Sequence, residues 1–243
     1  MIHEQKRQIT YGDIDANWDF SLTALLRLMS DASWASGEAL GVGVSQIEKT
    51  GLAFTMQRMG IKIFGVPILG DEITIRTWAD TIRRISFIRK GELLDSAGKK
   101  LIEWESLWVL YDITERKIKR PNALNQPIEK LGAKGVEIVT KKINLPTVSA
   151  IENYTYHVQF SDLDTYQNMR DTHYGDLISN VYMLEDSRTT FIKPGAEIQF
   201  NYSNEGQIDD IINIELFEHD DSLYVQGATG AQTLFKASIR IEA

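Results

Sequence analysis

The segment YGDIDANWDFSLTALLRLMSDASWASGEALGVG, residues 11–43, joins an Asp-Ile-Asp pair to a long apolar stripe. After the pair, apolar side chains recur at spacings of three and four, at Leu22, Leu25, Leu26, Met29, Ala32 and, later, Leu40. This spacing is typical of an amphipathic helix that buries one face. The segment therefore predicts a long helix packed on another layer of the structure.

A second copy of this layout follows in the C-terminal half. The segment FSDLDTYQNMRDTHYGDLI, residues 160–178, carries Asp162 and Asp164, and an apolar stripe follows at Tyr174, Leu177, Ile178, Val181 and Leu184. In each half the helix precedes segments rich in β-branched and aromatic residues and bounded by Gly, Asp and Asn, which are typical of strands. The chain therefore predicts an α+β fold of two halves, each a long helix against an antiparallel sheet.

Prolines mark the connection between the halves. Residues 121–146, PNALNQPIEKLGAKGVEIVTKKINLP, contain three of the five prolines of the chain. Their weak periodicity is typical of a linker. We predict an N-terminal domain at residues 1–120, a linker at 121–149 and a C-terminal domain at 150–243.

Composition argues against several classes of protein. The formal net charge is −8 and the basic residues are scattered, which disfavours nucleic-acid binding because phosphate neutralisation needs a basic surface. The chain has no cysteine and therefore no thiolate nucleophile or Cys-ligated metal. Its N-terminus lacks the apolar core of a signal peptide, and no apolar run approaches the roughly 18 residues that span a bilayer. We predict a cytoplasmic protein with no membrane contact, metal or cofactor.

Short motifs follow one another along the strands of the first half. They are Arg-Met at 58–59, Gly-Asp-Glu-Ile at 70–73, Thr-Trp at 77–78, Ser-Leu-Trp-Val at 106–109 and Thr-Glu-Arg-Lys at 114–117. In this order they resemble the acyl-acyl carrier protein (acyl-ACP) thioesterases, and the whole layout resembles a tandem hot-dog fold. The resemblance covers nearly the whole chain. It implies hydrolysis of fatty acyl thioesters to a free fatty acid and the carrier thiol.

The resemblance also implies a site at the entrance of the second helix. The family carries an Asp-x-Asp-x-Asn-x-His motif there and a Tyr-x-x-Glu motif on the following strand. Asp164 and Glu205 occupy the matching acidic positions, whereas Tyr166 stands at the position of the Asn and Asn168 at that of the His. The candidate catalytic residues are therefore Glu205, Asp164, Asn168 and Tyr166.

Thioester hydrolysis needs an activated water and donors that stabilise the oxyanion. The resemblance makes Glu205 the base or the water-orienting carboxylate, with Asp164 supporting the loop or its neighbours. Asn168 and Tyr166 offer hydrogen-bond donors, but neither shuttles a proton at neutral pH as imidazole does. Backbone amides at the start of the helix, which we place at 172–185, can face the thioester carbonyl.

Each candidate also has a purely structural interpretation. Asp162 and Asp164 can cap the approach to the helix, and Asp171 can be its N-cap. Glu205 can be a solvated turn residue. His173, the nearest histidine, can reach the same cavity or, more typically for a first-turn histidine, face solvent or pack beside the cap.

Three functional hypotheses follow. The first is an acyl-ACP thioesterase with Glu205 as its carboxylate. The second is a catalytically weakened or inactive homologue that binds acyl chains or acyl-ACP, because Tyr166 and Asn168 replace two residues of the family pattern. The third is another hot-dog reaction on a coenzyme A thioester. A site moved to the first half, at Asp13, Asp15 and Asn17, would lack the strand glutamate.

Basic clusters provide a candidate docking surface for an acidic carrier protein. They comprise Arg83, Arg84, Lys117, Lys119 and Arg120, for which the alternative is a solvated basic face. The other expected partner is the fatty acyl chain, with Trp78, Trp104 and Trp108 either in the core or along the chain. The duplication lets one chain form the helix pair of two hot-dog domains, so both a monomer and a homodimer are compatible with it.

Overall fold

The computed structural model describes residues 1–124, 128, 135–184 and 190–241. The helices are α1 (Leu22–Ala39), α2 (Val44–Thr50) and α3 (His173–Tyr182). The strands of the first half are β1 (His3–Gln8), β2 (Leu52–Ile63), β3 (Glu72–Arg83), β4 (Ser86–Leu94), β5 (Lys100–Asp112) and β6 (Lys117–Lys119). Those of the second half are β7 (Glu152–His157), β8 (Ala196–Tyr202), β9 (Ile211–His219), β10 (Ser222–Thr229) and β11 (Gln232–Ile241).

One antiparallel sheet runs through both halves. Its order is β1-β3-β4-β5-β2-β8-β11-β10-β9-β7, with β6 paired to β5. From the outer edge to the centre, the first half has the order β1-β3-β4-β5-β2 and the second half has the equivalent order β7-β9-β10-β11-β8. This symmetry is what a duplication requires. The halves join where β2 pairs with β8, with Met59 opposite Phe200. The predicted α+β architecture is confirmed.

The long helices of the two halves lie side by side. Thr23 of α1 donates a hydrogen bond to Asp176 of α3, with 2.6 Å between the Thr23 hydroxyl and Asp176 Oδ1. The two helices approach closely at Gly175, because a Cβ there would stand 2.9 Å from Thr23 Oγ1. Apolar side chains of both helices and of both halves of the sheet form one buried core. The pairing of helix on helix therefore occurs within a single chain.

The second helix is shorter than predicted. We expected residues 172–185 with Asp171 as the N-cap, whereas α3 spans His173–Tyr182 and its N-cap is Thr172, which makes no side-chain capping bond. The prediction of Asp171 as the N-cap was therefore wrong. Asp171 accepts a hydrogen bond from the amide of Thr172 and lines a cavity. The last residue of the predicted helix, residue 185, lies outside the described residues.

Two tight turns connect neighbouring strands of the sheet. Residues 71–95 form β3 and β4, which are joined at Arg84 with φ of 58°. Residues 222–241 form β10 and β11, which are joined at Gly230 with φ of 55°. Glycine adopts this left-handed conformation without strain, so Gly230 was the available signal for the second turn.

Polar side chains of β5 and β8 form hydrogen bonds with the backbone of the segment that links the two halves. We call these hydrogen bonds the strap contacts. Glu103 Oε1 accepts from the amides of Glu137 and Ile138 at 3.1 and 2.9 Å. Gln199 Oε1 accepts from the amide of Lys141 at 2.9 Å, and its Nε2 donates to the carbonyl of Val139 at 3.2 Å. Gln199 fits because Gly60, opposite it on β2, has no side chain. These side chains satisfy backbone groups of the link that no strand partner satisfies.

Replacing Gln199 with leucine should destabilise the protein. The change removes both strap contacts of a side chain that is only 3% exposed, and each unpaired buried polar group costs about 1–3 kcal/mol. We expect the free energy of unfolding, measured by urea denaturation, to fall by about 2–4 kcal/mol. Gln226→Leu on β10 is the matched control and should cost less than about 1 kcal/mol. Equal losses in the two variants would contradict the role of the strap contacts.

The domain limits predicted at residues 120 and 150 stay a prediction. β6 ends at Lys119 and β7 begins at Glu152, so the described strands fall on either side of the predicted linker. Residues 125–127 and 129–134 of that linker lie outside the described part of the chain. Within the described part, no helix is long and apolar enough to cross a membrane.

Candidate active site

The loops that lead into α1 and α3 have the same internal hydrogen bonds. In the first half, Asp15 Oδ1 accepts from the amides of Asn17 and Asp19 at 2.8 and 3.1 Å. In the second half, Asp164 Oδ1 accepts from the amides of Tyr166 and Asn168 at 2.7 and 3.1 Å. Asp164 therefore holds the loop in shape, as Asp15 does in a half without a strand glutamate.

The first aspartate of each Asp-x-Asp pair is structural. Asp13 is 1% exposed and forms ion pairs with Arg7 and Arg27. Asp162 is 4% exposed and accepts from the hydroxyl of Tyr156 and the amide of Gln159, each at 2.8 Å. Both carboxylates close a single 3₁₀ turn, which agrees with the capping interpretation of the sequence.

A cavity of about 1800 Å³ lies between the two halves. Its wall includes side chains of α1, α2, β2, β4 and β5 from the first half. The second half contributes the loop before α3 and the loop after β8, and with them all four predicted site residues, Glu205, Asp164, Asn168 and Tyr166. The structure thus brings the predicted residues together in a space large enough for an extended ligand.

Glu205 lies in the loop after β8, and two hydrogen bonds join that loop to α3 and to the segment that leads into α3. The amide of Met169 donates to the carbonyl of Gly206 at 2.7 Å, and the amide of Gly206 donates to the hydroxyl of Tyr174 at 3.4 Å. Glu205 is exposed to solvent on the cavity wall. Partial burial of its carboxyl group raises the pKa, and the nearby charge of Asp164 raises it further, while Arg116 opposes both. A raised pKa brings a carboxylate toward the range in which it acts as a general base.

Asp171 is the functional candidate that sequence reasoning missed, because its place before a helix suggested a cap. Asp171 lines the main cavity and also a narrow crevice beside it. Burial raises its pKa to about 6 and the charge of Asp164 adds to the effect, while a hydrogen bond from the amide of Thr172 opposes it. Tyr202 lines the same two spaces, and its buried hydroxyl has no hydrogen-bond partner among the described residues. A second acid in the loop of Asp164 was the available sequence signal.

The amides at the start of α3 do not all face the cavity as predicted. Those of His173, Tyr174 and Gly175 donate to the carbonyls of Arg170, Asp171 and Thr172. They are therefore already used within the first turn, and they cannot serve as oxyanion donors in this conformation. Asn168 and Tyr166, on the cavity wall, retain side-chain donors for that role.

His173 lies on the cavity wall, but its ring is occupied elsewhere. Its Nδ1 stands 3.3 Å from Asp176 Oδ2, and the other oxygen of Asp176 accepts from Thr23. The imidazole is therefore part of the polar contact between α1 and α3. The packing interpretation therefore describes its place better than a role in proton transfer.

The predicted basic clusters lie at one end of β5. Ser86, which follows the turn with Arg83 and Arg84, pairs with Val109, and Lys119 pairs with the next residue along β5. Lys119 forms ion pairs with Asp112 and Glu115 at 3.3 and 2.9 Å, so part of its charge is compensated locally. Arg116, which the sequence did not single out, and Ile118 extend this end of the sheet into the cavity wall.

Comparison with solved structures establishes the fold class. An acyl-ACP thioesterase from Bacteroides thetaiotaomicron superposes with a TM-score of 0.84 at 16% identity, over 99% of this chain and 98% of that one. A 12:0-ACP thioesterase from Umbellularia californica superposes with a TM-score of 0.83 at 17% identity, over 99% and 97% of the two chains. The predicted tandem hot-dog fold is thereby confirmed.

The family follows from the sequence of the first half. The model of the acyl-ACP thioesterase N-terminal domain matches residues 1–123, just over half of the 243 residues. The chain belongs to the acyl-ACP thioesterase family. No curated protein sequence matches it.

Proposed function

We propose that this protein hydrolyses fatty acyl-ACP thioesters to a free fatty acid and the carrier thiol. Glu205 removes a proton from the attacking water, and Asp164 holds the loop that carries Asn168 and Tyr166. These two side chains donate hydrogen bonds to the thioester oxygen as it becomes an oxyanion. The observation that supports the proposal is that Glu205 and this loop line the same cavity between the halves.

The basic end of β5 supports the choice of carrier. Arg84, Lys117 and Arg120 are exposed there, and Arg116 continues the same surface into the cavity wall. An acidic carrier protein docked on this surface would deliver its thioester next to Glu205, and charge complementarity would speed the encounter.

The direct test is release of free thiol from a panel of acyl-ACP substrates of different chain lengths. The matching acyl-coenzyme A thioesters are measured alongside. Turnover of the carrier-linked substrates with higher kcat/KM supports the proposal. Preference for the coenzyme A thioesters would assign the site to another hot-dog reaction, and absence of turnover on both would refute hydrolysis.

The alternative is a weakened or inactive homologue that binds acyl chains or acyl-ACP. Tyr166 and Asn168 favour it, because an imidazole at residue 168 could move a proton and an amide cannot.

The double variant Tyr166→Asn with Asn168→His distinguishes the two proposals. If the chain is a weakened enzyme that lacks only these side chains, turnover should rise by about 10²-fold or more, the usual contribution of a positioned acid or base. The wild type and the double variant are assayed on the same acyl-ACP substrate, with ligand binding measured in parallel. An unchanged or lower rate, with binding intact, would show that the site does not work through the family's histidine.

A further inference from the structure

Asp171 is an acid in the cavity for which the proposed reaction has no role so far. It lines the main cavity and the adjoining crevice, so it stands where the two spaces meet. The rest of the crevice is mainly apolar, with Leu26, Met29, Met56, Met59, Trp104 and Trp108 in its wall. The crevice has a volume of only about 20 Å³, room for about one water molecule, so an acyl chain must lie in the main cavity, where Asp171 also forms part of the wall.

Tyr174 makes hydrogen bonds to the backbone of Asp171 and to the backbone beside Glu205. Its backbone amide donates to the carbonyl of Asp171 at 3.3 Å, and its hydroxyl accepts from the amide of Gly206, the neighbour of Glu205, at 3.4 Å. The Tyr174 ring is 2% exposed and stacks on Phe235 with 4.6 Å between the ring centroids. Tyr174 therefore holds the backbone beside Asp171 and the backbone beside Glu205, and both residues line the same cavity.

The surroundings of the two acids differ in polarity. The titratable groups that face Asp171 are Asp164 and His173 along the chain, Tyr174 on α3 and Tyr202 on β8. The parts of α1, β2 and β5 that line the crevice contribute only uncharged side chains. Glu205, by contrast, lies near the cation of Arg116. Two carboxyl groups whose environments differ in this way can take the acid role and the base role in one reaction.

We infer that Asp171 is the general acid that protonates the departing thiolate, opposite Glu205 as the base. This inference rests on the proposed thioesterase function. As water attacks the thioester carbon, the C–O bond forms and the Glu205 carboxylate takes the proton of the water. When the C–S bond breaks, its electron pair goes to sulfur, which takes the proton of the Asp171 carboxylic acid. Proton exchange through solvent returns Glu205 to the carboxylate and Asp171 to the acid.

The assignment dictates a pH dependence. Asp171 must be protonated to act, and its pKa is raised to about 6, so the rate should fall as the pH rises through about 6. Glu205 must be ionised, and its pKa is also raised, so the rate should fall again as acid protonates it. The expected profile of kcat/KM is bell-shaped, with Asp171 on the alkaline side.

The experiment compares wild type with Asp171→Asn on two substrates. One is an acyl-ACP thioester, whose alkyl thiol is a weak acid, as a free cysteine thiol is with a pKa of about 8.5, and so gains from protonation as it leaves. The other is an aryl thioester of the same acyl chain, whose more acidic thiol leaves without help. We expect Asp171→Asn to lower kcat on the carrier substrate by about 10²-fold, to remove the alkaline limb, and to lower kcat on the aryl thioester much less. Asp209→Asn, in an exposed position of the loop after β8, is the control.

The outcomes separate this inference from the function on which it rests. A wild type that hydrolyses neither substrate refutes both. An active wild type whose alkaline limb survives in Asp171→Asn refutes the acid role alone. Equal losses on the two thioesters, with an unchanged melting temperature, would make Asp171 a positioning residue and also overturn the inference.

Discussion

Glu205→Gln should lose about 10²- to 10⁴-fold in kcat on acyl-ACP while the protein stays folded, because the amide cannot accept the proton of the attacking water. Glu205→Ala should have no measurable turnover. Among the described residues, the loop around residue 205 is held by the backbone of Gly206, and the Glu205 carboxylate makes no hydrogen bond. The melting temperatures of both variants should therefore match that of the wild type.

The matched control for this prediction is Asp209→Asn. It also converts a carboxylate to an amide in the loop after β8, but Asp209 is 82% exposed at the side chain and lies outside the cavity wall. We expect it to retain the rate of the wild type. Full activity in Glu205→Gln would assign the base to another group, and loss of activity in both variants would indicate an effect of the loop rather than of Glu205.

Phe200→Ala should lower the free energy of unfolding by about 3–5 kcal/mol, the cost of removing a buried phenyl ring. Phe200 is fully buried on β8, opposite Met59 of β2, where the sheets of the two halves join. Its ring also lies parallel to that of Tyr202, with 5.9 Å between the centroids. The substitution therefore weakens both the join and the support of the cavity wall.

Urea denaturation of Phe200→Ala measures this loss. Phe160→Ala removes the same ring from a position that is 78% exposed, and its cost should stay within about 0.5 kcal/mol. Because the sheet is continuous through β2 and β8, we expect both halves to unfold in one transition. Two separate transitions in the variant would show that the halves fold independently of the join.

The sequence alone determined the duplicated α+β layout. Its signals are local: the stripe from Leu22 to Ala32 repeats at helical spacing, and the stripe from Tyr174 to Val181 does the same. The Asp-x-Asp pairs mark loops whose hydrogen bonds run between near neighbours, as Asp164 shows with Tyr166 and Asn168. The family followed from motifs in the first half for the same reason, since residue types at fixed spacing are visible without coordinates.

Only the tertiary structure decided how these parts meet. The join of Met59 with Phe200, the strap contacts of Gln199 and the crevice beside Asp171 all involve residues distant in sequence. In any sequence, a carboxyl group just before a helix suggests an N-cap. Burial and the neighbouring charge of Asp164 raise the pKa of Asp171, and neither effect is visible in the sequence. The sequence lists the groups that can cap, pair or transfer a proton, whereas their surroundings in the fold select which of these each group does.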